Sequence, residues 1–124
     1  MEANAALAGS TVMVVDDEPD VRYMLRVALE GAGYAVVEAA HGEAALELAR
    51  RSPPQILLTD RMMPRMSGDE LIERLRADEA TKAIPIVMIS GTQGVQGEAD
   101  AMRGKPVDID ELLVLIDRLT RSER

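Results

Sequence analysis

The chain of 124 residues has no cysteine, no phenylalanine and no tryptophan, and it carries one histidine. Without thiols there is no disulfide, no thiolate nucleophile and no Cys-ligated zinc, and nothing marks a secreted disulfide scaffold. The single imidazole, His41, excludes a two-His metal site, and a triad built on it would need a nucleophile and an orienting acid beside it. Tyr23 and Tyr34 are the only other rings, so an aromatic platform for stacking bases is excluded by count. No apolar run approaches the ~20 residues of a membrane span. Residues 1–10 contain an acid and no base, unlike a signal peptide, and are expected to form a short mobile tail on a cytoplasmic protein.

What is present is aliphatic and acidic. Hydrophobic residues make up 47%, enough for the core of a single domain over 11–121. Fourteen basic residues stand against 22 acidic ones, a net charge of −8 that repels a phosphate backbone. Neither direct nucleic-acid binding nor membrane insertion is expected. Chemistry, if any, falls to carboxylates, hydroxyls and lysine.

Short apolar runs alternate with amphipathic stretches. Thr11–Val15 is an unbroken β-branched run, as in a strand buried on both faces. Asp16-Asp17-Glu18-Pro19 then marks a helix start, and Gly31 and Gly33 its end. The pattern predicts strands at Tyr34–Val37, Ile56–Leu58 and Ile84–Ile89, and helices over Gly42–Arg51, Asp69–Ala77 and from Asp110 onward. Residues 91–104 hold four glycines and only a brief helical hint at Glu98–Met102. Strands alternating with crossover helices imply an α/β fold with a parallel sheet covered on both faces.

In such a sheet, ligands bind beyond the carboxyl ends of the strands. That rim receives Asp16 and Asp17 from the first strand, Asp60 from the third, Ser90 from the fourth, and Lys105-Pro106 ahead of the last helix. Clustered carboxylates need a cation, and an all-oxygen donor set suits a hard ion such as Mg²⁺. An ammonium and a hydroxyl beside them suit in-line phosphoryl transfer to a carboxylate.

The segments VVDDEP (14–19), LLTDRMMPRMSGDELI (57–72), VMISG (87–91) and KP (105–106), in this order, resemble a stand-alone two-component response-regulator receiver domain. The resemblance covers Thr11 to about Leu119. It implies a flavodoxin-like, doubly wound, five-stranded parallel sheet of order 2-1-3-4-5. It implies that Asp60 is the phosphoacceptor, that Asp16 and Asp17 bind Mg²⁺ with Asp60, and that Met62 offers its backbone carbonyl. Ser90 would bond the phosphoryl group as the switch hydroxyl. Lys105 would pair with that group, or with Asp60 in its absence, ahead of a cis bond to Pro106. Pro64 and Gly68 match the loop after the acceptor. The implied donor is a histidine kinase or histidine phosphotransfer protein, and the implied reader is a downstream protein of unknown identity. The domain would catalyse its own phosphorylation without being a metabolic enzyme.

Duller readings exist for each residue taken singly. Asp17 or Glu18 could cap a helix, Ser90 could form a turn, Lys105 could be a solvated surface lysine, and Met62, Met63 and Met66 could simply pack under a loop. His41 reads as an exposed loop residue, and Arg50-Arg51 as a solvated helix end. Two rivals remain for the whole: a phosphorylation-independent interaction module on the same fold, and a Mg²⁺-dependent phosphatase with an aspartyl-phosphate intermediate.

Three features depart from the family pattern. Residues 91–104 are too few for a fifth strand plus a full crossover helix, so that helix is expected to be short, irregular or disordered. Met102 stands at the aromatic switch position, three before Lys105, which points to a disorder-to-order switch of 91–104 in place of a rotating ring. Met62 and Thr92 occupy positions that tune dephosphorylation in the family; the Met62 side chain cannot orient a water, so slow self-hydrolysis is expected. Arg61 and Val107 carry no assigned role.

Overall fold

The computed structural model describes residues 10–91 and 94–121; the tail expected at 1–10 lies outside them but for Ser10. Nine elements follow one another: β1 (Thr11–Val15), α1 (Pro19–Gly31), β2 (Ala35–Ala39), α2 (Gly42–Arg51), β3 (Ile56–Asp60), α3 (Gly68–Arg76), β4 (Ile86–Ser90), β5 (Ala101–Gly104) and α4 (Ile109–Arg121). All strand pairs are parallel, in the order β2-β1-β3-β4-β5. This is the flavodoxin-like sheet that the resemblance implies.

The period of two along each strand divides the core. Met13, Val15, Leu57 and Met88 point to one face and meet Ala45, Leu46 and Ala49 of α2 and Leu71, Ile72 and Leu75 of α3. Val12, Val14, Leu58, Val87 and Ile89 point to the other and meet Leu25 and Leu29 of α1 and Leu112, Leu115 and Ile116 of α4. Every residue of β3 and β4 is buried, and these central strands are apolar up to Thr59 and Ser90 at their carboxyl ends. Each large aliphatic side chain enclosed this way contributes about 1.5–3 kcal/mol, which lets a core without a single Phe or Trp hold.

Helix starts are fixed by local chemistry. Pro19 opens α1. The Ser67 hydroxyl accepts from the Glu70 amide at 3.1 Å, and an Asp108 carboxylate oxygen from the Glu111 amide at 3.1 Å. His41 differs from its sequence reading: it is the half-buried N-cap of α2, with Nδ1 accepting from the Ala44 amide at 3.3 Å.

Other differences have simple causes. The second strand runs over Ala35–Ala39 because its partner β1 continues to Val15, paired with Ala39. The fourth begins at Ile86, after Pro85, which has no amide to give to a ladder. The helical hint at Glu98–Met102 gives way to β5, because the Asp100 amide bonds the Ile86 carbonyl at 2.8 Å while its carboxylate takes the Ile86 amide at 2.7 Å. Among the described residues between β4 and β5 there is no helix, in line with the shortage of residues there.

The loop after β3 closes tightly. The Gly68 amide donates to the Arg61 carbonyl at 2.8 Å, and a Cβ on Gly68 would overlap the Asp60 carbonyl oxygen and approach Arg61 Cα to 3.0 Å. Gly68→Ala is therefore expected to cost about 1–3 kcal/mol, read as a lower urea midpoint at unchanged m. An unchanged midpoint would show that this loop relaxes freely.

Candidate functional site

Parallel register brings the strand ends level: Val15 lies beside Thr59, Asp60 beside Ile89, and Ser90 beside Gly104. Each strand therefore releases its next residues onto one rim. Asp16 follows β1 and is 3% exposed, Asp60 ends β3 and is 8% exposed, and Asp17 is open to solvent. One carboxylate oxygen from each lies within 4.8 Å of the others. The Lys105 ammonium, delivered just beyond β5, stands 3.2 Å from Asp60 Oδ1 and 3.7 Å from Asp16 Oδ2. The Lys105–Pro106 bond is cis. Ser90 is buried at the end of β4, where its carbonyl accepts from the Lys105 amide at 3.1 Å. Met62 starts the loop two residues beyond Asp60, with its side chain exposed. Thr92 lies outside the described residues.

The electrostatics follow from burial and crowding. Burial raises the Asp16 carboxyl above the usual carboxylate range, and the charges of Asp60 and Asp17 push the same way. The Glu18 amide, bonded to Asp16 Oδ1 at 2.9 Å, and the Lys105 ammonium oppose that rise without cancelling it. Burial works against the charge of Lys105, but pairing with Asp60, Asp16 and Glu18 outweighs it and holds its pKa above the ordinary lysine value.

Three oxygen donors gathered this way, one open to solvent, are the kind of set a hard divalent ion such as Mg²⁺ would take. The raised Asp16 pKa records the cost of burying a carboxylate and, after that, of placing other acids beside it.

Arg22 and Arg76 were not singled out by the sequence, which gives no periodic signal for them. Arg22 donates to the Asp16 carbonyl at 2.7 Å and to Glu38 Oε1 at 2.9 Å, fixing the turn that carries Asp16 and Asp17. A glutamate inside an otherwise apolar strand β2 was the available hint. Arg76 reaches the carbonyls of Lys82, Ile84 and Glu98 and the Asp100 carboxylate. Arg61 is buried beside Asp60. Arg50, read as solvated, is exposed yet pairs with Asp78 at 2.6 Å.

The chain matches the family model of the response regulator receiver domain over residues 12–117. The chain belongs to that family, whose members are signalling domains of two-component systems that accept phosphoryl groups from histidine kinases. It is 37% identical over 122 residues to the phosphate regulon transcriptional regulatory protein PhoB of Pseudomonas aeruginosa, covering 93% of this chain and 53% of that protein. The chain thus spans about half the length of PhoB. It is 34% identical over 113 residues to protein PilH of the same species, covering 86% of this chain and 93% of PilH. The solved chemotaxis protein CheY4 of Vibrio cholerae superposes with a TM-score of 0.83 at 29% identity, over 89% of this chain and 98% of that one. Among the described residues no helix is long and apolar enough to cross a membrane.

Asp16→Asn removes a buried charge whose ionisation the fold resists. The folded state binds that proton more tightly than the unfolded chain, so the ionised wild type is penalised at neutral pH and relieved as the pH falls. The variant is expected to show the higher Tm at pH 7 in metal-free buffer, with the gap closing on acidification. A gap that widens on acidification would contradict this account of Asp16.

Proposed function

We propose that Asp60 is the phosphoacceptor of a phosphorelay, receiving its phosphoryl group from a phosphohistidine of a histidine kinase or a histidine phosphotransfer protein. The convergence of Lys105, Asp16 and Asp17 on the Asp60 carboxylate carries this reading. Asp16, Asp17 and Asp60, with the Met62 carbonyl, would hold Mg²⁺. When bound, Mg²⁺ would supply positive charge to neutralise the carboxylate and phosphoryl oxygens.

Asp60 then acts as nucleophile. Its carboxylate oxygen forms a bond to phosphorus as the bond from phosphorus to the donor imidazole nitrogen breaks, and that electron pair stays on the nitrogen. Lys105 leaves its contact with Asp60 Oδ1 for an oxygen of the incoming group, so its charge is already in place. The Ser90 hydroxyl, on the adjoining strand end, bonds a further phosphoryl oxygen. A groove of about 240 Å³ beside Asp60, walled by Val21, Met24, Leu25, Pro106 and Val107, offers apolar room for the donor imidazole.

Incubation with a small-molecule phosphodonor, followed by intact mass, tests the reading. One phosphoryl adduct is expected with Mg²⁺ and none with a chelator or in Asp60→Asn. An adduct that survives Asp60→Asn would place the acceptor elsewhere.

The exposed Met62 side chain has no polar atom with which to orient a water onto phosphorus. The acyl phosphate is therefore long-lived, and Met62→Asn is expected to shorten its half-life several-fold, followed by decay of the adduct mass. An equal half-life in the two proteins would remove Met62 from control of hydrolysis.

A further inference from the structure

Arg61 follows β3 directly and is 9% exposed. Its side chain lies against Met88 and Met102, on the sheet face covered by α2 and α3. The connection from β4 to β5 has to close that face, and among its described residues there is no helix to do so. The guanidinium occupies the space instead. Its Nε stands 3.3 Å from Asp69 Oδ2 and 3.1 Å from Met88 Sδ, and its Nη2 donates to the Val95 carbonyl and lies 3.6 Å from Met102 Sδ. A Cβ on Gly94 would overlap Nη1, so the chain is bare where the guanidinium passes.

This is a costly way to fill a gap. Thioethers are weak acceptors, and the anionic partner, Asp69, is half open to solvent. Leucine or methionine would cover the same sheet without burying a charge. The other end of the residue explains what the charge does there. The Arg61 amide donates to Asp60 Oδ1 at 2.9 Å, the same oxygen that faces Lys105. One residue thus touches the acceptor carboxylate with its backbone and the crossover segment with its side chain.

We propose that Arg61 is a positioning residue that couples the state of Asp60 to the segment Gly94–Gly97. The coupling rests on Asp60 being the phosphoacceptor. Turning the carboxylate into an acyl phosphate takes charge from the oxygen the Arg61 amide holds, and a charge-assisted bond becomes an ordinary one. The Arg61 backbone shifts, and the guanidinium shifts with it. Its contacts to Val95, Met88, Met102 and Asp69 fit together in the resting arrangement, so displacement loosens them. Arg76 holds Glu98 and Asp100 independently, through the Glu98 carbonyl at 3.0 Å and the Asp100 carboxylate at 2.9 Å. Release is therefore confined to the stretch ahead of Glu98. This is the reverse of the ordering switch of 91–104 expected from Met102 at the aromatic position.

Nitrogen-15 relaxation of the backbone amides of the full chain, with and without the phosphodonor, tests the coupling, and intact mass on the same samples reports the adduct. On phosphorylation, the order parameters at Val95–Gly97 are expected to fall from the rigid range of about 0.85 to below about 0.6, because the Val95 carbonyl loses its guanidinium donor, while Glu98–Asp100 hold. Gly94→Ala pushes the guanidinium aside from an exposed position, and Arg61→Met fills its place without charge. In both, the order parameters at 95–97 are expected to be low before phosphorylation and to fall no further. Should Arg61→Met fail to fold, Gly94→Ala carries the comparison. A wild-type adduct with unchanged order parameters at 95–97, or a full response in Gly94→Ala, would overturn the coupling alone. Absence of any wild-type adduct would overturn the phosphoacceptor reading and this coupling with it.

Discussion

One ammonium faces three carboxylates at the rim of the sheet: Lys105 is 3.2 Å from Asp60 and 3.7 Å from Asp16, and Asp17 completes the group. Two like charges about 5 Å apart repel by roughly 3 kcal/mol at the effective dielectric of a protein edge. Lys105 offsets much of that by attraction, but three carboxylates against one ammonium leave net negative charge, and burial of Asp16 and Asp60 keeps water from screening it. The remainder is stored in the fold as a standing demand for positive charge. The enclosing core supplies the means: β1 and β3, packed between helices on both faces, hold the strand ends level and give the acids no room to separate.

Strong local periodicity made most of this architecture readable in advance. Thr11–Val15 is apolar on both faces and could be little else than a buried strand, and Gly42–Arg51 has its apolar face and its stop signals in sequence order. The acids were readable because each follows such a run. The end of a strand has its place set by the sheet, so Asp16 with Asp17, Asp60, Ser90 and Lys105 converge from four separate stretches of the chain. Strand limits were harder, since a partner's ladder decides them: β2 extends to Ala39 because β1 offers a partner, and Pro85 delays β4.

Long side chains escaped the sequence reading for a different reason. Arg22, Arg61 and Arg76 act across 16, 34 and 24 positions of chain, at Glu38, Val95 and Asp100. A guanidinium on a flexible stem has no periodic signature, and its partners include backbone carbonyls, which every residue has. His41 was misread on similar grounds, because a capping imidazole and a loop imidazole look alike until the Ala44 amide is placed. What packs by pattern could be foreseen; what reaches by length could not.

The lysine that completes the site rides on the lightest part of the sheet. β5 has four residues, pairs with β4 along one edge and is only partly covered. Strands of this kind open before the body of a domain does. Each such excursion would withdraw Lys105 from Asp60 while the two acids on β1 and β3 stay where they are. The lifetime of the complete rim is then set by the fraying of an edge, and a molecule that is globally folded can still spend part of its time with its acids stripped of their lysine.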